Sequence, residues 1–407
     1  MAAPSPAEWP VYSPDASERL SNLVRAGDVF DYSGSGAVLE FERAFSDRHE
    51  GRLALTFNSG TSALFAAYVA LGLRPGDEVI VPNLTFLATV SPLLWLGATP
   101  VLCDSGPSDA GVSPEAIERA VTDLTRAVVV THTFGFPADM RQIMQVARDR
   151  GLAVVADCSH AHASTIDGRP VGVFGDIAVH SLGARKMVSG GHGGVLLTDD
   201  PALRDSALLV GHFKPRSRTV SGIAALRAQA EFGLGGNLRL SPLSAVLALD
   251  HLTRLDELAA AKLANIALID EALAGHLQQI DTPPGCVNRT YFDLVYRLPE
   301  HVPSEQRDRA VRALEAAGVP ARVPATRPLN RVLRAIAAAP VDQRGILWSR
   351  LAEQAAGAAV DEKLPYSTRL HDRLISLPAT LLHGENRAYA EQLARQLDHV
   401  KWTTLWD

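Results

Sequence analysis

Five lysines stand among 407 residues, against 34 arginines, so chemistry that needs a lysine amine has five places to happen. Lys186 is the best placed of them. It follows the apolar run 177–182, which reads as a strand, and precedes Ser189-Gly190-Gly191-His192-Gly193-Gly194, a stretch too rich in glycine for a helix. An amine at a strand end beside pliable backbone suits a Schiff-base lysine, which must be held near its partner with the amine available in neutral form. The bland alternative is a solvated loop lysine. The other four look ordinary: Lys262 sits on a helix near Asp256 and Glu257, and Lys363 follows Asp361-Glu362. Lys214 shares a basic loop with Arg216 and Arg218, and Lys401 lies near the C-terminal end.

Asp157 stands directly after the apolar run 152–156, at the carboxyl end of another predicted strand. A carboxylate there loses hydration unless donors or a cation meet it. A helix cap or a solvated strand end is the commoner fate. The alternative is a pairing with a protonated heterocycle, such as the pyridine nitrogen of pyridoxal phosphate (PLP). Asn58-Ser59-Gly60-Thr61-Ser62-Ala63 leads into the helical pattern 64–71 and offers hydroxyls, N–H groups and a positive dipole end to a phosphate. Ser and Thr are equally the usual helix caps. Gly34-Ser35-Gly36 lacks a preceding strand and a third glycine, so it is not a dinucleotide fingerprint. His160 is near enough to Asp157 in sequence to contact a group bound there, whereas His162 reads as structural and His192 as a loop residue. Met187, Phe213 and the tryptophans read as packing. No metal-ligand spacing is present, and Cys103, Cys158 and Cys286 are odd in number, far apart and without a C-x-x-C pair, which predicts reduced thiols.

These residues need a scaffold, and the chain supplies one. Short β-branched runs at 78–81, 99–102, 127–130, 153–155, 177–182 and 194–197 alternate with amphipathic stretches at 113–121 and 140–150, the second stopped by Gly151. Strand–helix alternation at this spacing predicts an α/β domain with a mainly parallel sheet, whose ligands sit at the carboxyl ends of the strands. One long helix is predicted over 242–273, a strand over 291–296, and helices over 304–317 and 386–400. The expected division is an N-terminal arm at 1–18, a large domain at 19–250 and a smaller α/β domain at 251–407. Composition is that of a globular protein, 47% hydrophobic and 21% charged, and the formal net charge of −6 gives no support for nucleic acid as a partner. The Pro-rich start has no apolar signal region, and no run approaches the ~20 apolar residues of a membrane span, which predicts a cytoplasmic protein with no membrane partner.

Taken in order, the motifs resemble those of the DegT/DnrJ/EryC1/StrS sugar aminotransferases, a group of fold-type-I PLP enzymes. The landmarks are Phe41-Glu42, Ser59-Gly60-Thr61-Ser62-Ala63, Gly76-Asp77-Glu78-Val79-Ile80-Val81-Pro82 and Gly97-Ala98-Thr99-Pro100-Val101. Gly135-Phe136-Pro137-Ala138-Asp139-Met140, Gly175-Asp176-Ile177 and Gly236-Asn237-Leu238-Arg239-Leu240 complete the set. The resemblance implies a large domain with a seven-stranded, mainly parallel sheet. It implies PLP bound covalently to Lys186, with Asp157 on the pyridine nitrogen, His160 near the 3-hydroxyl and Phe86 stacked on the ring. Gly60, Thr61 and Ser181 would hold the phosphate, joined by Asn237 from a second subunit, hence a homodimer with shared active sites.

Three departures stand out. The usual Gly-Glu-Gly-Gly is Gly191-His192-Gly193-Gly194, Pro242 replaces an acidic residue after the Asn-x-Arg motif, and the family's His and aromatic pattern is not matched around Arg327-Pro328-Leu329-Asn330. They bear on the acceptor more than on PLP. The presence of Lys186 argues against the family's dehydratase branch, which carries histidine there. The expectation is an aminotransferase that passes an amino group from glutamate or glutamine to a keto-sugar, cyclitol ketone or related natural-product intermediate by a ping-pong scheme. The alternatives are elimination or C–C bond formation on the same fold, a non-catalytic sensor, and, most remotely, a nicotinamide oxidoreductase.

Overall fold

Val, Leu and Ala dominate the strand runs, and in the computed structural model these runs pair into one sheet. The structure describes residues 6–107, 110–212, 215–219, 224–231, 233–338, 364–402 and 405. The strands are β1 (Leu53–Phe57), β2 (Glu78–Pro82), β3 (Thr99–Cys103), β4 (Thr125–Thr131), β5 (Ala153–Asp157), β6 (Ile177–Ser181) and β7 (Gly194–Thr198). They run in the order β1-β7-β6-β5-β4-β2-β3. From β6 to β3 every pairing is parallel, while β7 lies antiparallel to both β6 and β1. The six expected strands are present. β1 was not expected, and its place is set by pairing with β7, far along the chain.

Alternate side chains enter two cores, as a sheet covered on both faces requires. Ile80, Val128, Val130, Val154 and Ala156 pack with Phe41 and Phe45 of helix α2 (Gly36–Arg48), which follows α1 (Pro14–Ala26). Val79, Val81, Ala127, Val129 and Val155 pack with Ala63, Leu64 and Ala67 of α3 (Gly60–Ala70). Each fully buried valine or isoleucine is worth roughly 1.5–3 kcal/mol relative to exposure, so register is strongly fixed. Asp157 falls on the Val155 face by the same alternation. Helix α4 (Met140–Arg150) is capped by Asp139, whose side chain accepts from Gln142 N–H, and ends at Gly151 in the left-handed region (φ 65°), two residues before β5.

The predicted long helix is two, α5 (Pro242–Thr253) and α6 (Leu255–Leu273), broken at Arg254 (φ −102°, ψ 8°). Thr253 Oγ1 bonds back to the carbonyls of Leu249 and Asp250, a contact that bends helices, and Arg254 reaches Asp250 and the Val11 carbonyl. The predicted strand at 291–296 begins three residues later. Asn288 Oδ1 accepts from the N–H groups of Thr290 and Tyr291, making a turn in which Tyr291 has φ 43°. A second sheet then forms from β8 (Gln278–Gln279), β9 (Leu294–Arg297) and β10 (Leu374–Leu377), all antiparallel. Its core joins Ile266, Leu273, Tyr296, Ile375 and Leu377 to Leu393 and Leu397 of α7 (Arg387–Asp398). No helix among the described residues is long and apolar enough to cross a membrane. All three cysteines are buried and none forms a disulfide.

Candidate active site

The carboxyl ends of β4, β5 and β6 open on a cavity of about 200 Å³, where ligands of such sheets belong. Thr131, Asp157 and Ser181 close those strands and line it. Gly60 and Thr61, at the start of α3, face them, and Phe86, His160 and Lys186 complete the wall. Seven of the eight residues singled out in the sequence therefore meet in one place. Asn237 does not: it is exposed and outside the lining.

Asp157 is buried and has no ion-pair partner among the described residues. Its Oδ2 accepts from Thr89 Oγ1 at 2.9 Å and its Oδ1 from Ser159 N–H at 3.1 Å. Thr89 belongs to a hydroxyl chain, with Thr85 Oγ1 at 3.0 Å from both Thr89 Oγ1 and Thr131 Oγ1. These threonines were missed because three hydroxyls from one loop and a strand end carry no local signature.

Lys186 lies five residues beyond Ser181, and its Nζ sits 3.9 Å from the centre of the Phe292 ring. Burial pushes its pKa down to about 7, and Arg185 acts in the same direction, against Asp157 and Asp293. A substantial share of the amine is therefore neutral near pH 7. Arg185 and Arg322 both bind the buried Asp293 carboxylate, at 3.1 and 2.9 Å. His160 stacks on Phe292 with ring centres 3.9 Å apart, and its Nδ1 accepts from Phe134 N–H at 3.3 Å. Burial, with Lys186 adding to it, holds His160 well below the usual histidine range. It is thus neutral with its proton on Nε2, a donor. Phe292, supplied from beyond α6, had no signal in the sequence.

The α3 end is built for close approach. Ser59 caps the helix by accepting from Ser62 N–H, leaving first-turn N–H groups without partners inside the helix. A Cβ on Gly60 would lie 2.9 Å from Ser181 Cβ, and one on Gly194 would lie 2.4 Å from the Ser59 carbonyl oxygen. His162, expected to be structural, donates from Nε2 to the Ser181 carbonyl at 2.9 Å and so fixes that strand end. His192, expected as an ordinary loop residue, stands exposed at the cavity mouth. Pro242 occupies the first turn of α5, where its missing N–H costs nothing. The 327–330 segment packs beside the Phe86 loop, with Leu329 N–H donating to the Asn83 carbonyl.

Lys262, read as an ordinary helix lysine, requires a correction. It is buried, its Nζ donates to the carbonyls of Thr290 and Tyr291 at 2.9 and 2.8 Å, and burial pushes it down to about 7. Its role is to hold the turn that carries Phe292. Lys214, Lys363 and Phe213 lie outside the described residues.

PLP fits this cavity on structural grounds. A void of roughly 150 Å³ already admits a benzene ring. Phe86 turns 62% of its surface to solvent at the cavity edge, a face left open to a ring. The buried, unpaired Asp157 calls for a cationic N–H, and the helix end calls for an anion.

The DegT/DnrJ/EryC1/StrS aminotransferase family profile matches residues 16–341. The chain belongs to that family. L-glutamine:2-deoxy-scyllo-inosose aminotransferase of Streptomyces kanamyceticus is 31% identical over 96% of this chain and 93% of its own length. GDP-perosamine synthase of Escherichia coli O157:H7 is 34% identical over 70% of this chain and 76% of its own. Among solved structures, an aminotransferase from Psychrobacter cryohalolentis superposes with TM-score 0.82 at 25% identity, covering 97% and 98% of the two chains. As a DegT-family aminotransferase, the protein has the fold-type-I architecture and uses PLP.

Proposed function

We propose that this DegT-family enzyme transfers the amino group of glutamine or glutamate to a ketone on a cyclitol, a nucleotide-linked sugar or a related natural-product intermediate, in a ping-pong scheme. A cyclitol ketone is the first choice, because the Streptomyces kanamyceticus relative aligns over nearly the whole of both chains. The observation that carries the reading is the meeting, in one cavity, of a lysine amine brought down to about 7 and a buried carboxylate without an ion-pair partner among the described residues.

When bound, PLP supplies an electron sink that stabilises negative charge beside the transferred nitrogen. Lys186 would hold it covalently, and its Nζ is the group placed to take a proton from the donor Cα. Asp157 keeps the pyridine N–H protonated, and the Thr89 hydroxyl orients that carboxylate. His160 would donate from Nε2 to the cofactor's 3-oxygen, Phe86 would cover its ring, and Gly60, Thr61 and Ser181 would receive its phosphate. Asn237 would act on the phosphate of a second copy's site, in a homodimer, and the enzyme is proposed as cytoplasmic because its cysteines form no disulfide. Support for the dimer comes from Asn237 standing outside its own cavity. Two residues on, Arg239 lies over the exposed Tyr32 ring, which itself packs on the exposed Phe30. The arm at 1–18, large domain at 19–250 and small domain at 251–407 are proposed as the units of that dimer, supported by the separate core around β9 and β10.

The test is to load the protein with PLP, add glutamine, remove it, and add 2-deoxy-scyllo-inosose or a GDP-linked keto-sugar. Glutamine should abolish the visible absorption band, and one of the ketones should restore it with release of an amine. A band unaffected by every amino donor, in an enzyme that still turns over, would contradict the aminotransferase proposal.

A further inference from the structure

We propose that the N-terminal arm, Ala7–Ser13, is a positioning element for Lys186 and that Trp9 is its decisive residue; this rests on the aminotransferase reading. The segment between β6 and β7 carries Lys186 without regular helix or strand, and few of its backbone groups are held by the sheet. Its own backbone bonds are Leu182 N–H to Gly193, Lys186 N–H to Gly183 and Gly190 N–H to Leu182, while Gly183 and Gly191 N–H donate to the hydroxyls of Ser181 and Ser189. Much of the rest is held from a distance. Trp9 Nε1–H donates to the carbonyl of Lys186 itself at 3.0 Å, across 177 residues of sequence. Tyr12 OH lies 3.3 Å from the Ser189 carbonyl and 3.2 Å from Ser189 Oγ.

The two rings enclose His251 of α5, Trp9 at 4.7 Å and Tyr12 at 4.6 Å between ring centres. His251 Nδ1 accepts from Ser189 N–H at 3.1 Å and its Nε2 donates to the Val11 carbonyl at 3.0 Å. Burial pushes this histidine down to about 4, so it is neutral, the state in which one ring nitrogen accepts and the other donates. The arm, the histidine and the lysine segment therefore form one hydrogen-bonded unit. Its far end is tied beside α7, where Ala7 N–H donates to Asn386 Oδ1 and Asn386 Nδ2 donates to the Ala7 carbonyl, both at 2.9 Å.

A covering role would need only an aromatic ring at position 9. The bond to the carbonyl of Lys186 needs an indole N–H, and it fixes the peptide plane from which the lysine side chain departs. An error of about 1 Å in a reacting group costs up to ~100-fold in rate.

Trp9→Phe keeps a ring on His251 and removes that one donor, and Tyr12→Phe does the same at Ser189. In PLP-loaded protein, W9F should melt within a few degrees of the parent and keep its half-saturating glutamine concentration. The rate of glutamine-driven loss of the visible band should fall about fivefold, the worth of one neutral hydrogen bond. The pH midpoint of the band without donor should also move, by roughly half a unit. Y12F should shift the same two quantities by less. A W9F protein with the parent's rate and midpoint overturns the proposal, as does one whose rate falls only in proportion to folded protein. If the parent itself takes up no PLP, the aminotransferase reading fails with it, whereas a responsive parent and an indistinguishable W9F refute the arm's role alone.

Discussion

The floor of the cavity and its lysine-bearing wall are held in different ways. On the floor, Thr131, Asp157 and Ser181 are the last residues of adjacent parallel strands, and two apolar cores fix their register. The wall, from Gly183 to Gly193, has no ladder of its own and depends on Trp9, Tyr12, His251 and Phe292 reaching in from elsewhere. The floor can therefore present charge and hydrogen bonds with little freedom. The amine proposed to bind cofactor and carry a proton sits on the part whose placement is adjustable.

Substitutions that remove a reacting group should have the largest effects whichever region bears them. Lys186→Ala deletes the proposed covalent anchor and proton carrier, and turnover should fall by about 10³-fold or more in a steady-state assay. Asp157→Asn leaves the shape of the floor intact and removes its charge. The rate should drop about 100-fold while the melting temperature holds, and a loss matched by unfolding would show instead that the carboxylate serves the fold. Gly60→Ala pushes a methyl toward Ser181 Cβ, 2.9 Å away, at a cost of about 1–3 kcal/mol, read as weaker PLP retention in dialysis. Phe86→Ala, at the exposed edge, should weaken PLP binding severalfold, an aromatic pair being worth about 0.5–1.5 kcal/mol.

The smallest effect separates wall from floor by pH. Lys186 is brought down to about 7, so below that pH its amine is protonated and cannot attack the PLP aldehyde. The rate of PLP uptake by cofactor-free protein should rise as pH climbs through about 7 and level off above roughly 8. A rate still climbing at pH 9 would mean that burial does not perturb this lysine.

The same division explains what the sequence disclosed. Asp157 was legible because it ends a continuous apolar run that reads as a buried strand, and Gly60 and Thr61 because a capped helix start has a local signature, whereas Ser181 was named only through the family resemblance. Lys186 was singled out by elimination among five and by the glycines after it. Trp9 was read as packing, since nothing near it says that its indole would meet a carbonyl 177 residues away. Lys262 looked ordinary beside Asp256 and Glu257, whereas the turn of α6 carries it to the buried face, under Thr290 and Tyr291. The helix break at Arg254 likewise depends on a side chain meeting the arm, which no helical periodicity records.

Two lysines, Lys186 and Lys262, have pKa values brought down to about 7 by burial, and only the first lines the cavity. Borohydride reduction of the PLP-loaded protein, followed by peptide mass mapping, distinguishes them. The added pyridoxyl mass should fall on Lys186 and on no other of the five lysines; its appearance on Lys262, or on none of them, would contradict the assignment on which the account of the site depends.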